Sequence, residues 1–442
     1  MMDLFNKDIS QLRKLMETGK FTSEELTKKY LKSIQDKDLK LYNTVSEEYA
    51  LNKARTIDRK RQEGKKLGVL AGIPLAVTDD ISTKDVLTTV GSKILEDYIP
   101  PFNATVVENL LKEDAIVLGK IKIDEFNLKS NNNAAKVIRE DEALFSLNSY
   151  RANGEVFSIK PSYGLVSRYG FISATSSLDQ IATSTKSVKD MAIVLNSIIE
   201  YDKKDSSSID LEKRDYTNAL TDGIKGMKIA LPKNLLEFKD EDSERTFSTV
   251  IENLESKGAI VQEISLPKLD YLLPTYNILL SGEFASNAGK YDGIGFGYRT
   301  ENYEDRGDLY KKTRSEAFSK KTKQVILFGN YVIDSKNYNK YYKKAQKIRT
   351  ILSMEYKNII DEYGMILTPV NIEENQTDIL QALAHLTGFP AISMPTSTKT
   401  RDSSIGLQII GKYFGEEELL KIAYNHEQFL MDSTVKEVHI NE

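Results

Sequence analysis

The 442-residue sequence predicts an α/β fold, with a central mixed twisted sheet and helices on both faces. Short apolar runs of strand length alternate with longer segments whose apolar residues recur at helical spacing, and this alternation is typical of such a sheet. There is no internal repeat, and strand patterns resume after the polar loop at 202–208. We therefore expect one domain over residues 1–442.

The first 66 residues are predicted to form helices at the N-terminus of that domain. Thr22 and Glu25 have the spacing of a capping box, in which each side chain satisfies a backbone amide of the first helical turn. The residues that follow recur at helical spacing and should face the core: Leu26, Tyr30, Leu31 and Ile34. Residues 51–66 read as a charged helix that is exposed on most of its surface.

Beyond residue 67 the pattern changes to alternating strands and helices. Apolar runs bounded by Gly or Pro predict buried strands at 68–77, 115–120 and 405–411. Further strands are expected at 227–232 and 259–264, and helices at 105–113, 191–199 and 247–257.

Composition excludes several kinds of site. There is no cysteine, so disulfides, thiolate nucleophiles and cysteine-bound metals are excluded. Of three histidines, His385 has apolar neighbours and should be a core residue, whereas His426 and His439 lie in a charged stretch expected to be surface helix and tail. The formal net charge of -4 argues against broad attraction to nucleic acid. The Lys- and Tyr-rich segment 338–344 is either a local RNA-facing patch or a solvated helix face.

The chain is expected to be cytoplasmic and to stay out of membranes. No stretch approaches 18 uninterrupted apolar residues, and the first residues lack the apolar region of a signal peptide. The absence of cysteine fits a reducing compartment. No cofactor is expected. No metal is expected either, because the adjacent carboxylates Asp79 and Asp80 should point in different directions and no third ligand is apparent.

A series of short motifs runs along nearly the whole chain. They are Leu-Ala-Gly-Ile-Pro at 70–74, Lys-Pro-Ser-Tyr-Gly at 160–164, Val-Ser-Arg-Tyr-Gly at 166–170, Ser-Ser-Leu-Asp-Gln at 176–180 and Thr-Arg-Ser-Glu at 313–316. The series resembles the amidase-signature family, and within it the glutaminase (A) subunits of glutamyl-tRNA(Gln) amidotransferase. The resemblance implies the amidase-signature fold. It also implies the other amidotransferase subunits as partners, with tRNA contacted only indirectly.

The resemblance also shows what the chain has lost. The family cleaves amides with a Ser–Ser–Lys arrangement, in which a lysine kept neutral by burial acts as the base. Thr78 stands at the position of that lysine, and a threonine hydroxyl is no useful base near neutral pH. Residues 127–159 form a shortened, diverged segment with no Gly-Gly pair, where the family carries its relay serine, oxyanion hole and nucleophile. Ser149 is the candidate relic of the nucleophile, and Lys122 or Lys136 could replace the lysine.

The residues at the family's glutamine-binding positions match the family better than those at its catalytic positions. By the resemblance, Arg314 matches the arginine that binds the substrate's α-carboxylate, and Asp378 matches the aspartate that binds its α-amino group. Phe296 stands at an aromatic position of the family and lacks the tyrosine hydroxyl. The alternative is that Arg314 and Asp378 form ordinary structural ion pairs. Asp179 is expected to fix a loop and not to act as a catalytic acid.

This selective loss favours a pseudoenzyme, an inactive amidase-fold protein that acts by binding as a subunit or regulator in translation. Its ligands would be the other amidotransferase subunits, or glutamine or a similar amino acid. The alternative is an active glutamine amidohydrolase subunit that supplies ammonia for conversion of Glu-tRNA(Gln) to Gln-tRNA(Gln), or a diverged amidase. The sequence leaves open whether residues 127–159 plug the old active-site cleft or open it.

Overall fold

Eleven strands join into one mixed sheet in the part of the chain that the computed structural model describes. The described residues are 4–129, 131–150, 152, 154–221, 223–236, 238, 240–295, 297–370, 374–397 and 405–440, without the side chains of 374–377 and 434–440. The strands are β1 (Tyr42–Val45), β2 (Pro74–Thr78), β3 (Ile116–Ile121), β4 (Phe145–Ser149), β5 (Phe157–Lys160), β6 (Ile181–Thr185), β7 (Lys228–Pro232), β8 (Ile260–Ile264), β9 (Met365–Val370), β10 (Ala391–Pro395) and β11 (Gly406–Ile410).

The order of the strands across the sheet is β1-β3-β2-β4-β6-β5-β10-β11-β9-β7-β8. Parallel pairs join β2 to β3 and β4, and β7 to β8 and β9, whereas the other pairs are antiparallel. The predicted mixed sheet is therefore confirmed. Strand β8 lies at one edge, and its Ile260 is 46% exposed.

Thirteen helices are present in the described ranges. They are α1 (Ile9–Glu17), α2 (Ser23–Asp36), α3 (Glu47–Gln62), α4 (Thr105–Lys112), α5 (Asn133–Arg139), α6 (Val188–Ile198), α7 (Glu241–Ser256), α8 (Leu269–Asn287), α9 (Arg306–Ala317), α10 (Lys320–Ile333), α11 (Tyr342–Tyr363), α12 (Glu374–Thr387) and α13 (Glu416–Ile440). None of them is long and apolar enough to cross a membrane.

Successive residues of the inner strands contribute to two different cores. In β9, Leu367 belongs to a core shared with α1, α2, α6 and α13, whereas its neighbour Ile366 belongs to a second core shared with α8, α11 and α12. In β10, Ile392 and Ala391 divide in the same way. Because side chains alternate between the two faces of a strand, this division places helices on both faces, as the sequence predicts.

Several local predictions are confirmed at the N-terminus. The Thr22 hydroxyl accepts the N–H of Glu25 at 3.1 Å, and the Glu25 carboxylate accepts the N–H of Thr22 at 2.8 Å. This is the expected capping box, and it begins α2. The four predicted core residues of α2 are all buried: Leu26, Tyr30, Leu31 and Ile34.

The prediction of an exposed C-terminal helix is wrong for His426. Its side chain is fully buried, and ring Nε2 lies 2.8 Å from the carbonyl of Pro395 at the end of β10. The acidic start of α13 suggested a solvated helix, but Leu419, Leu420 and Ala423 give it an apolar face in the first core. Tertiary packing of that face therefore decides the position of His426. The side chain of His439 lies outside the described residues.

The buried position of Leu147 in β4 gives a test of the sheet. Leu147 is fully buried between Val77 of β2 and Thr183 of β6. We expect Leu147→Ala to lower the free energy of unfolding by about 3 kcal/mol, because it removes buried methyl groups and leaves a cavity. Leu327→Ala, at a site 69% exposed, is the matched control and should change it by less than about 0.5 kcal/mol. Similar shifts in the urea midpoint for the two variants would contradict this packing.

Candidate functional site

A small polar cavity lies where the C-terminal ends of β2 and β4 meet the loop before β6 and the helices α8 and α12. It leaves about 20 Å³ for the centre of a water-sized molecule, enough for about one water. Its polar lining consists of Asp80, Asn127, Ser149, Tyr150, Asp179, Gln180, Tyr276, Gln381 and His385.

The structure brings Thr78 and Ser149 together around one carboxylate. The Thr78 hydroxyl donates to Oδ1 of Asp80 at 2.5 Å, and the Ser149 hydroxyl donates to Oδ2 at 3.1 Å. Asp80 is 2% exposed, and burial raises its pKa above the ordinary value. Both hydroxyls therefore donate their protons to the buried Asp80 carboxylate. The three polar groups satisfy one another in this way without a basic side chain among them.

A buried lysine on the neighbouring strand was not among the predicted replacements. Lys120 in β3 lies opposite Val77, and its Nζ donates to the Ile81 carbonyl and to Thr83 Oγ1. Burial lowers its pKa to about 8, while the charges of Asp79 and Asp80 oppose that shift. Its signal in the sequence is a charged residue inside a predicted buried strand. Lys120 does not line the cavity among the described residues.

A second buried lysine, Lys160, ends β5. Its Nζ donates to Oε1 of Gln180 at 2.7 Å and to the carbonyl of Phe389 at 2.6 Å. Burial lowers the pKa of Lys160 to about 7. Lys160 thereby links Gln180, a residue that lines the cavity, to the loop that follows α12. Its hydrogen bonds indicate that it positions Gln180.

The predicted replacement lysines lie away from the cavity. The side chain of Lys122 is exposed beyond the end of β3, and that of Lys136 is half-buried on α5. Neither belongs to the lining.

Described residues of the shortened segment 127–159 contribute to the cavity wall. Its residues Asn127, Ser149 and Tyr150 form part of the wall. Tyr150 is 1% exposed; its hydroxyl accepts a hydrogen bond from Nε2 of Gln408 at 3.0 Å, and its ring centroid lies 6.3 Å from that of His385. The aromatic side chain is therefore a fixed part of the cavity wall.

Another part of the cavity wall, at Phe126 and Asn127, has strained backbone. Phe126 and Asn127 both adopt φ of 54°, a left-handed conformation that is uncommon for a bulky residue. The Phe126 ring packs within 5.2 Å of Phe284 and 5.3 Å of Tyr291, measured between centroids. This aromatic packing offsets the strain and keeps the start of the segment against the cavity.

Two further polar groups in the wall are already satisfied. Asp179 accepts the Ser173 hydroxyl at 2.9 Å and the N–H of Thr175 at 2.7 Å, as expected of a carboxylate that fixes a loop. His385 is 4% exposed, and its Nδ1 lies 2.9 Å from the carbonyl of Leu178. Burial lowers the pKa of His385 to about 4, so the ring is neutral near pH 7. The prediction of a satisfied core histidine is confirmed.

The predicted glutamine-binding residues lie at different distances from the cavity. Arg314 in α9 donates through Nη1 to the carbonyls of Ala288 and Tyr291, at 2.7 and 2.9 Å, so part of its guanidinium holds the end of α8. Asp378 is half-buried on α12, and its charge contributes, after burial, to the raised pKa of the cavity residue Tyr276. Phe296 lies outside the described residues. Glutamine binding by this set stays a prediction.

The pKa of Asp179 gives a test of this environment. Burial raises it from 3.8 to about 6, so the folded state binds this proton more tightly than the unfolded state. Stability is therefore lost as pH rises from about 4 to about 6. We expect Asp179→Asn, which keeps an acceptor for Thr175, to gain stability relative to the wild type over that range, by about 3 kcal/mol.

Urea unfolding at a series of pH values measures this difference. Asp242→Asn is the control, because the Asp242 side chain is 89% exposed and its removal should give a difference that is flat with pH. A flat difference for Asp179→Asn as well would contradict the burial of this carboxylate.

Comparison with known proteins agrees with this architecture. The model of the family described as Amidase matches residues 25–135 and 152–420, and the match is interrupted inside the shortened segment. A curated relative, the A subunit of glutamyl-tRNA(Gln) amidotransferase from Thermoanaerobacter pseudethanolicus, is 38% identical over 97% of both chains.

Two solved structures share the fold. The crystal structure of the A subunit of glutamyl-tRNA(Gln) amidotransferase from Thermotoga maritima is 27% identical, with a TM-score of 0.76 over 96% of this chain and 95% of that chain. The peptide amidase of Stenotrophomonas maltophilia has a TM-score of 0.80 at 22% identity, over 96% and 97% of the two chains. With a family match over most of its length and a relative of this identity, the chain belongs to the amidase family.

Proposed function

We propose that this protein is a catalytically inactive member of the amidase family that acts by binding, as a subunit or regulator of an amidotransferase-like assembly. One observation carries the proposal: the cavity beside Thr78 and Ser149 leaves about 20 Å³ and is walled by the shortened segment. A glutamine molecule is several times larger than the single water that such a space holds.

The chemistry of the site supports inactivity. A serine nucleophile needs a base that accepts its proton and donors that stabilise the oxyanion. Here the Ser149 hydroxyl faces Asp80, Thr78 replaces the lysine, and residues 127–159 hold no Gly-Gly pair to form an oxyanion hole. A hydrolase that loses only its triad can keep a rate roughly 10³–10⁴-fold over water through the oxyanion hole and substrate binding. Losing the hole as well removes that remaining activity.

The binding role rests on the likeness over the full length. Relatives at 34–38% identity over 97% of this chain are subunits of glutamyl-tRNA(Gln) amidotransferase by name. We therefore propose the other subunits of such an enzyme as partners, a cytoplasmic role in translation, and only indirect contact with tRNA. Glutamine or a similar amino acid at Arg314 and Asp378 is a second proposed ligand. We also propose that the chain forms one domain.

The names of the relatives favour a second candidate, a working glutaminase subunit that supplies ammonia. This candidate needs the cavity to open around Tyr150 and needs a new base. Lys120 is the buried lysine best placed for that task, since β3 pairs with β2 and burial lowers the pKa of Lys120 to about 8.

Ammonia release separates the two candidates. The purified protein is incubated with glutamine or asparagine, alone and with the two partner subunits from the same organism. We expect no release above buffer in any mixture, whereas a catalytically active relative in place of this chain is the positive control. The Thr78→Lys variant should also release no ammonia, because the nucleophile loop is still missing. Release that Ser149→Ala or Lys120→Met abolishes would establish the working enzyme instead.

Complex formation tests the binding role separately. The chain is co-expressed with the two partner subunits and analysed by size-exclusion chromatography with light scattering. We expect it to co-elute with them in a complex that releases no ammonia. A free chain that neither joins the partners nor binds glutamine by calorimetry would contradict the proposed role even if the chain is inactive.

A further inference from the structure

A larger cavity lies apart from the site described above. Its volume is about 340 Å³, within the ~300–1,000 Å³ range of small-molecule sites. It is enclosed by the end of α5, the start of β5, the segment after β10 and the middle of α13. Two of its lining residues, Arg139 and Asp141, lie in the interval where the match to the family is interrupted.

The cations in the wall are already paired. Arg139 donates through Nη1 to Glu155 at 2.6 Å and lies 3.2 Å from Glu140. Lys186 pairs with Asp141 and donates to the carbonyl of Phe5 at 3.1 Å. These carboxylates neutralise Arg139 and Lys186, so the two cations do not favour binding of an anionic ligand.

Glu427 on α13 is different, because its carboxylate is buried without a cation. It is 5% exposed and lines the cavity. Its Oε1 accepts the N–H of Val188 at 3.1 Å, and no lysine or arginine side chain within the described residues pairs with it. Burial, together with the charges of Asp190 and Asp8, raises the pKa of Glu427 to about 7. A buried carboxylate in this setting gains most from a positive partner.

Part of the cavity lining is apolar and lies on the same helix as Glu427. Leu430 and Met431 follow at three and four residues along α13, and so lie on the same helix face. Val156 precedes β5 on the facing wall. Met431 is 48% exposed, and its flexible thioether side chain is suited to adapting to a ligand. A divalent metal is disfavoured because it needs several oxygen ligands, and within the described residues no group of three or more Asp, Glu or His side chains is arranged to hold one.

We propose that this cavity binds a small organic cation, a primary ammonium group on a short apolar body. The ammonium pairs with the Glu427 carboxylate, and the body packs against Val156, Leu430 and Met431. The proposal is independent of whether the protein hydrolyses amides, since none of these residues lies in the site around Asp80.

Calorimetric titration with three probes of one shape tests the charge requirement. They are 2-phenylethylammonium, 2-phenylethanol and 3-phenylpropionate. We expect saturable binding of the ammonium probe to the full chain, and binding of the alcohol and the acid at least about tenfold weaker, because only the first supplies the missing charge. Equal binding of all three, or no binding of the ammonium probe at millimolar concentration, would overturn the proposal.

Three variants locate the probe. Glu427→Gln keeps an acceptor for Val188 and should weaken ammonium binding at least about tenfold. Asp432→Asn removes an exposed charge from the same helix and should leave the affinity within about twofold. Met431→Trp fills the rim without touching the carboxylate and should also weaken binding. Circular dichroism and urea midpoints establish that each variant folds, and an unchanged affinity in a folded Glu427→Gln variant refutes the assignment.

Discussion

Burial on both faces of the central strands is the constraint on which the rest of the molecule depends. Each inner strand must present hydrocarbon alternately to two separate cores, as Ile366 and Leu367 do. This requirement fixes the positions of the helices on the two faces of the sheet. The loops that join helices and strands then meet only at the ends of the strands. A polar group placed in the middle of such a sheet has no access to water, so it must find its partners within the protein.

The site around Asp80 follows from that requirement. With no lysine at position 78, the carboxylate takes its hydrogen bonds from Thr78 and Ser149, the two hydroxyls within reach. Thr78 and Ser149 therefore help to satisfy a buried carboxylate within the fold. Tyr150 is buried beside them at the end of β4, and its hydroxyl accepts a hydrogen bond from Gln408.

Sequence reasoning recovers the parts of this structure whose cause is local or periodic. The capping box at Thr22 and Glu25 and the core face of α2 depend on neighbours along one helix, and both are predicted. Strand β4 escaped prediction because Ser146 and Asn148 interrupt its apolar pattern. Both are buried, since the Asn148 amide donates to Ser184 of β6 and to the Ser146 hydroxyl within β4.

The position of Tyr150 against His385 and Gln408 could not be predicted, because it depends on which distant segments meet. His426 was misplaced although Leu419 and Ala423, seven and three residues before it, mark an apolar face at helical spacing. The resemblance assigned Thr78 and Ser149 to catalytic positions of the family, but only the fold places their hydroxyls on one carboxylate. Lys120 and Lys160 were missed because a charged residue in a strand usually marks a solvated face.

The edge strand β8 bears on the tendency of the sheet to pair with another molecule. A strand with one open side offers its N–H and C=O groups to the strand of another molecule. Here the strand is only five residues long, and Glu263 interrupts its apolar residues. At the opposite edge, β1 has four residues and an irregular register with β3. Short, charged or irregular edges of this kind keep a sheet of eleven strands from acting as a template for aggregation.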